Sequence, residues 1–166
     1  NPSDSGGKKV GIISGYKDTC CAGERTRGVL DALADTDYEI QFTINVTYET
    51  SITEMFMQQK PVDYLIVLET GILEEIAKIL SDKQENGMKV YGIGSSIKCV
   101  YYLDEAVIDG LIVVDGYDMG YQSVLQISDM LKKRLHRTKD QLTDYRLLHR
   151  EDIFSEDTQK FLYTFY

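Results

Sequence analysis

The chain has 166 residues, of which 18 are lysine or arginine and 27 are aspartate or glutamate, giving a formal net charge of −9. This acidic balance argues against nucleic acid or an anionic membrane as a direct partner, because both require a basic binding surface. The length fits one domain that can bury a hydrophobic core without disulfides or a metal.

Neither cross-links nor membrane spans are predicted. Three cysteines, two of them adjacent, cannot form a disulfide framework. No apolar run approaches 18 residues, and no signal-peptide pattern is present. We expect residues 1–7, NPSDSGG, to be a linker or a cloning remnant, which would make the chain part of a longer protein.

Strand-like and helix-like segments alternate along the chain. Their spacing predicts a parallel sheet with helices on both faces, so we expect an α/β three-layer sandwich with a mainly parallel sheet of about five to six strands. The predicted elements are, in chain order, a strand at 10–14, a helix at about 21–34, a strand at 38–46, a helix at 51–59, a strand at 62–68, a helix at 72–83, a strand at 90–94, a short helix capped by Ser95 or Ser96, a strand at 108–114 and a helix at 119–131.

The pattern weakens in the last third of the chain. Tyr145–Leu148 and Phe161–Tyr163 are predicted to be short extended segments. Near the middle, Ser51 or Thr50 is expected to cap a helix, and Glu54, three residues beyond Ser51, has the spacing of a capping-box partner. We expect an α/β lobe over residues 8–135 and a carboxyl-terminal extension over 136–166 that packs on the lobe or on a hinge.

Right-handed crossovers place the carboxyl ends of all five predicted strands along one rim of the sheet. Hydroxyls, carboxylates, aromatic rings and one guanidinium gather there, which is the chemistry of a site for a polyol or another small polar ligand. The rim segments are 15–18, 47–49, 69–70, 94–96 and 115–117, together with Arg25 one turn into the first helix.

Catalytic, cofactor and metal sites are not predicted. His136 and His149 fall away from the rim and are expected at the surface. The cysteines have no C-x-x-C or H-x-x-H companions, so zinc is not expected. The segment YGIGSS lacks the third glycine of a dinucleotide-binding turn. An isomerase-like enzyme would have to use Glu69, Asp115 or Asp18 as its base.

Several segments together resemble a known family. KKVGIISG, GERTRGVLDAL, VDYLIVLETGILEEIAKIL, KVYGIGSS, YLDEAVIDGLIVVDGYDMGYQSVLQISDML and LLHREDIFSEDTQKFLY, between Lys8 and Tyr163, resemble the carboxyl-terminal lobe of type I periplasmic binding proteins. These are sugar-binding subunits of ABC importers, and effector domains of lactose-repressor-type regulators share their fold.

The resemblance implies that two lobes close on a ligand and that the chain crosses between them. The elbow VVDGYDMGY would be a hinge, and the helix after it would return to an amino-terminal lobe. Its apolar residues Met119, Val124 and Ile127 would pack against that lobe.

The resemblance also implies the binding residues. Arg25 matches the arginine that donates to sugar oxygens, whereas Glu69 and Gly94 stand where many members have asparagine and aspartate, which argues against a simple aldopentose or aldohexose. If these residues have no role in binding, Glu69 is expected to be an exposed neighbour of a helix N-cap, and Arg25 to form a surface salt bridge with Glu24 or Asp31. The expected ligand-binding residues are Tyr16, Arg25, Glu69, Ser95, Ser96, Asp115 and Tyr117.

The resulting hypothesis is a non-catalytic lobe of an extracytoplasmic solute-binding protein that delivers a sugar or a small polar ligand to an ABC permease or a membrane sensor kinase. The alternative is the effector-binding domain of a cytoplasmic transcription regulator. The expected partners are the ligand, the missing amino-terminal lobe and the permease or sensor, and the exposed surfaces also favour a homodimer of the chain. No cofactor is expected.

Overall fold

The computed structural model describes residues 7–16, 19–47, 49, 51–83, 87–133 and 140–163. Helices and strands alternate through most of this range. The elements are β1 (Lys9–Ser14), α1 (Cys20–Leu33), β2 (Glu39–Asn45), α2 (Ile52–Met57), β3 (Tyr64–Val67), α3 (Thr70–Lys83), β4 (Lys89–Ile93), α4 (Ile97–Asp104), β5 (Gly110–Val114), α5 (Gly116–Lys133), β6 (Tyr145–Leu148), a 3-10 turn (Arg150–Asp152) and α6 (Glu156–Leu162).

The strands form one sheet in the order β2-β1-β3-β4-β5-β6. β1 to β5 are parallel, and β6 runs antiparallel to β5. The predicted α/β fold with a mainly parallel sheet is therefore confirmed. After β2 the chain crosses back to the other side of β1, so the connections that follow β1 and β3 diverge and leave a crevice between the carboxyl ends of these two strands.

One face of the sheet carries most of the core. α2, α3 and α4 pack there, and Leu73, Ile76 and Leu103 are completely buried. Gly92 of β4 faces this layer, where a Cβ atom would lie 2.6 Å from Leu73 Cδ2 and 3.0 Å from the Val67 carbonyl oxygen. A side chain at position 92 would therefore displace α3 from the sheet.

The opposite face is covered less completely. Val29 and Leu33 of α1 pack against a small cluster that contains Val10, Ile12 and Leu68. None of the residues of α5 is buried. Within the described ranges, no helix is both long and apolar enough to cross a bilayer.

Two local predictions were wrong. Phe161 was expected in an extended segment but lies in α6, because Ser155 caps this helix by accepting a hydrogen bond from the Thr158 N–H at 3.2 Å, and two acidic residues occupy the first turn. Ser51 occupies the N-cap position of α2, but its side chain makes no capping bond, so the capping box is not formed.

The histidine prediction also needs correction. His149 is partly buried, with Nδ1 2.9 Å from the Asp109 carbonyl oxygen, and its backbone N–H donates to Asp152 Oδ2 at 2.8 Å. It helps to hold the 3-10 turn against the end of the sheet. The predictions for His136, for Thr50 as the alternative N-cap, and for Lys17, Asp18 and Tyr48 of the rim lie outside the described residues.

Candidate functional site

The rim at the carboxyl ends of β1 and β3 is built on two buried hydroxyl contacts. Ser14, the last residue of β1, is fully buried, and its Oγ accepts a hydrogen bond from Thr26 Oγ1 at 2.9 Å and donates to the Ala22 carbonyl oxygen at 3.3 Å. Thr19 caps α1 by accepting a bond from the Ala22 N–H. These contacts fix the start of α1 beside the end of β1.

Arg25 extends from this helix towards the end of the neighbouring strand. Its Nη1 donates to the Leu68 carbonyl oxygen at 2.8 Å and lies 3.2 Å from Glu69 Oε2. The ion pair is therefore formed with Glu69, and Glu24 instead pairs with Arg27 at 2.6 Å. Because the Arg25 and Glu69 side chains are 36% and 48% exposed, the pair contributes little to stability and stays accessible to a ligand.

These residues line an open cavity of about 820 Å³ between β1 and β3. Its wall combines charged groups, hydroxyls, a thiol, an aromatic ring and aliphatic side chains. The lining residues are Gly15, Tyr16, Thr19, Cys21, Arg25, Val46, Thr47, Ile52, Glu69, Gly71, Ile72 and Glu75.

Glu75 is a cavity residue that sequence reasoning missed. It lies in the second turn of α3, and its Oε1 accepts a hydrogen bond from Thr53 Oγ1 at 2.8 Å, which links α3 to α2 at the cavity wall. Its position, six residues after Glu69 on the helix that follows a central strand, could have identified it. Among the described residues, the cavity lining therefore contains two carboxylates and one guanidinium.

The two predicted serines lie one strand farther along the rim. Ser96 caps α4 by accepting a hydrogen bond from the Cys99 N–H at 3.2 Å, while Ser95 is exposed. Two neighbours lower the pKa of the Glu74 carboxyl group. The larger effect comes from a hydrogen bond with the Ser96 side chain, and the smaller one from the Lys98 ammonium group, whose Nζ lies 3.2 Å from Glu74 Oε2. The Ser96 hydroxyl thus holds the start of α4, and neither serine lines the cavity.

Asp115 and Tyr117 follow β5, three strand spacings from β1, which corresponds to about 14 Å. Asp115 Oδ1 accepts a hydrogen bond from the Asp118 N–H at 2.8 Å and so caps α5. Tyr117 stacks on Tyr121 with ring centroids 6.0 Å apart. The structure therefore brings together Tyr16, Arg25 and Glu69, whereas the other four predicted residues lie elsewhere on the same rim.

The cavity is suited to hydrogen bonding with a polar solute. The guanidinium can donate hydrogen bonds, the carboxylates can accept them, and Tyr16 and Ile72 add apolar surface to the lining. Among the described residues, no group of three or more histidine, cysteine, aspartate or glutamate side chains could hold a metal ion.

Comparisons with known proteins give structural matches alone, because no family model matches and no curated protein matches. A carbohydrate transporter solute-binding protein from Agrobacterium radiobacter, in complex with D-arabinose, superposes with a TM-score of 0.82 at 16% identity. The superposition covers 95% of this chain and 56% of the Agrobacterium protein. A solute-binding protein from Bacillus halodurans with bound myo-inositol gives 0.79 at 15% identity, covering 93% of this chain and 55% of that one.

A third match belongs to a different class. A protein described as a LacI transcriptional regulator from Bacteroides fragilis superposes with a TM-score of 0.69 at 15% identity, over 89% of this chain and 54% of its own. The chain thus spans about half the length of the solved structures it matches. At these identities the likeness shows a shared fold.

Proposed function

The chain has the fold of one lobe of a type I periplasmic binding protein, and from this premise we propose that it is a non-catalytic lobe that binds a sugar or another small polar solute. The observation that carries the proposal is the placement of Arg25 and Glu69 in the crevice between β1 and β3. Open α/β sheets bind ligands at this point of their topology.

In the proposed mode of binding, Arg25 donates hydrogen bonds to ring or hydroxyl oxygens, Glu69 accepts them from hydroxyl groups, and Tyr16 packs against the ring. Ligand hydroxyls would compete with the contact between Arg25 and Glu69, which is partly exposed and weak. Together with Glu75, the charged side chains of the described lining residues sum to −1, a balance that favours neutral solutes over anionic ones.

The cavity is open on one side, so a second lobe would supply its other wall. Ligand that bridges the lobes would favour the closed state over the open one, with the segment Asp115–Gly116 as the hinge. An ABC permease or a membrane sensor would recognise the closed form, and in this proposal the lobe acts outside the cytoplasm.

Thermal unfolding of the chain with a panel of sugars, polyols and amino acids at about 10 mM tests the proposal. A ligand with a Kd of about 1 mM would stabilise the lobe by roughly 1.4 kcal/mol. A change of this size raises the Tm of a chain of this length by about 3–6 °C.

The variants Arg25→Ala and Arg27→Ala are the matched pair for this experiment. Arg27 lies on the same helix and pairs with Glu24 at the surface, but does not line the cavity. We expect the ligand-induced shift to disappear in Arg25→Ala and to persist in Arg27→Ala. Equal shifts in both variants would contradict the proposed site.

The likeness to the regulator from Bacteroides fragilis favours a second candidate, an effector-binding domain of a transcription regulator. The proposed binding site would be the same, but the output would be a change in DNA binding by another domain. The two candidates separate when the gene is read in full, since a regulator requires a helix-turn-helix segment. Turnover that Glu69→Gln abolishes would instead indicate an enzyme.

A further inference from the structure

Another cavity lies at the amino ends of β3 and β4, on the edge of the sheet opposite the rim. It encloses about 270 Å³ where α2 and α3 end and the next strands begin. The two edges are about 13 Å apart along β3, so a second lobe that closes on the rim leaves this cavity open. Its described lining residues, which we call the amino-end pocket, are Phe42, Phe56, Met57, Gln59, Lys60, Pro61, Val62, Lys83, Gly87 and Met88.

Aromatic and thioether side chains give the amino-end pocket an apolar wall. Phe42, Phe56 and Met88 are partly buried, and Met57 is exposed beside them. Phenylalanine rings pack edge-to-face or offset against another aromatic ring. Methionine sulfur also makes favourable contacts with aromatic rings, and its flexible side chain adapts to the group that it touches. This wall is therefore suited to an aromatic ring.

Two lysines supply the charge of the pocket. Lys60 follows α2, Lys83 is the last residue of α3, and both side chains are exposed. Among the described residues, neither ammonium group lies within 4.0 Å of a carboxylate oxygen. Lys83 Nζ instead lies 2.7 Å from Met57 Sδ, which is a weak acceptor. Both ammonium groups are therefore able to pair with an anion.

The local charge of the pocket is opposite in sign to that of the chain. The described lining residues carry a charge of +2 and include no carboxylate, whereas the chain carries −9. The overall field repels anions, so an anion binds only where nearby cations outweigh that field. The pocket combines such cations with an apolar wall, which is the complement of a ligand with an aromatic body and one anionic end.

We propose that the amino-end pocket binds a small aromatic carboxylate. Its ring packs against Phe42 and Phe56, and its carboxylate pairs with the ammonium groups of Lys60 and Lys83. At about 30 Å³ per water molecule, the volume corresponds to roughly nine non-hydrogen atoms, the size of benzoate. A rigid ring also loses less conformational freedom on binding than a flexible chain of the same size.

Titration of the ¹⁵N-labelled 166-residue chain with benzoate and with benzamide, each up to about 20 mM, tests the proposal by NMR at constant ionic strength. A ligand of this size is expected to bind with a Kd of about 1 mM. Benzamide has the same ring and nearly the same shape but no charge. We expect benzoate to bind roughly 5-fold more tightly, because exposed ion pairs contribute modestly.

The shifted amide signals locate the site. We expect them in residues 56–62 and 87–88, and not around Tyr16 and Arg25 of the rim. Equal affinities for benzoate and benzamide, shifts centred on the rim, or no shift up to about 20 mM would each overturn the proposal.

Two double variants of equal charge test the role of the lysines. Lys60→Gln with Lys83→Gln removes both ammonium groups of the pocket, whereas Lys78→Gln with Lys132→Gln removes two exposed ones that do not line it. We expect the first variant to bind benzoate no more tightly than benzamide, and the second to keep the preference. Equal benzoate affinities in the two variants would overturn the proposal. Arg25→Ala should bind benzoate normally, which separates this site from ligand binding at the rim.

Discussion

The contact between Ser14 and Thr26 offers a quantitative test of how the lobe positions Arg25. Ser14→Ala removes one buried acceptor and one buried donor, and leaves the Thr26 hydroxyl without its 2.9 Å partner. Loss of a buried hydrogen-bond partner costs about 1–2 kcal/mol. For a chain of this length, that loss lowers the Tm by roughly 2–8 °C.

A double-mutant cycle isolates the contact itself. Urea unfolding of Ser14→Ala, Thr26→Val and the double variant should give a coupling free energy of about 1 kcal/mol, because each single change removes the same hydrogen bond. Thr43→Val is the control, since Thr43 is exposed on the edge strand β2 and should change stability by less than about 0.5 kcal/mol. Additive effects of Ser14→Ala and Thr26→Val would refute the reasoning.

Three further predictions concern packing and titration. Gly92→Ala should destabilise the lobe by about 1–3 kcal/mol, because the added Cβ atom clashes with Leu73 of α3. Gly71→Ala is the control, since a Cβ atom there meets nothing within 4 Å and should not destabilise the lobe. The free energies of unfolding of both variants are measured by chemical unfolding. The folded-state pKa of Glu74 is lowered by a hydroxyl and an ammonium group, so its contribution to stability should be present above the unfolded pKa near 4.5 and be lost as the pH falls through the folded value. The difference in unfolding free energy between the unmodified chain and Glu74→Gln should therefore be smaller at about pH 3 than at about pH 7. Burial raises the pKa of the Cys99 thiol, so a thiol reagent should modify Cys20–Cys21 in the folded chain and reach Cys99 only after denaturation; rapid labelling of three thiols in the folded chain would contradict this.

The sheet was readable from the sequence because its central strands are short apolar runs. Val10–Ile13 is buried throughout, and Leu65 and Val67 of β3 are buried with Ile66 partly buried between them, so both strands read as continuous hydrophobic stretches between polar turns. The position of the rim was predicted from the right-handed crossovers, which place the carboxyl ends of the parallel strands along one edge of the sheet. The misassigned Phe161 shows the limit of this approach, since an aromatic residue in a short segment favours a strand, whereas the capping serine before it determined a helix.

The site was predictable in its location but not in its pairings. Arg25 and Glu69 are 44 positions apart, and their contact depends on the order of β1 and β3 in the sheet. The sequence placed Ser96 and Asp115 on the same rim, but it could not show that their oxygens accept hydrogen bonds from the first turns of α4 and α5. The apolar pattern of α5 likewise predicts a helix without saying what covers it.

The pairing of β6 with β5 has a consequence for the connectivity of the lobe. Val114 lies opposite Tyr145, so the chain leaves the sheet and re-enters it at neighbouring positions on one edge. Helix α5 therefore leaves the sheet at the edge where β6 joins it, outside the order of the five parallel strands. Because β6 is the last strand of the sheet, we expect a cut or an insertion between α5 and β6 to leave the order of the five parallel strands unchanged.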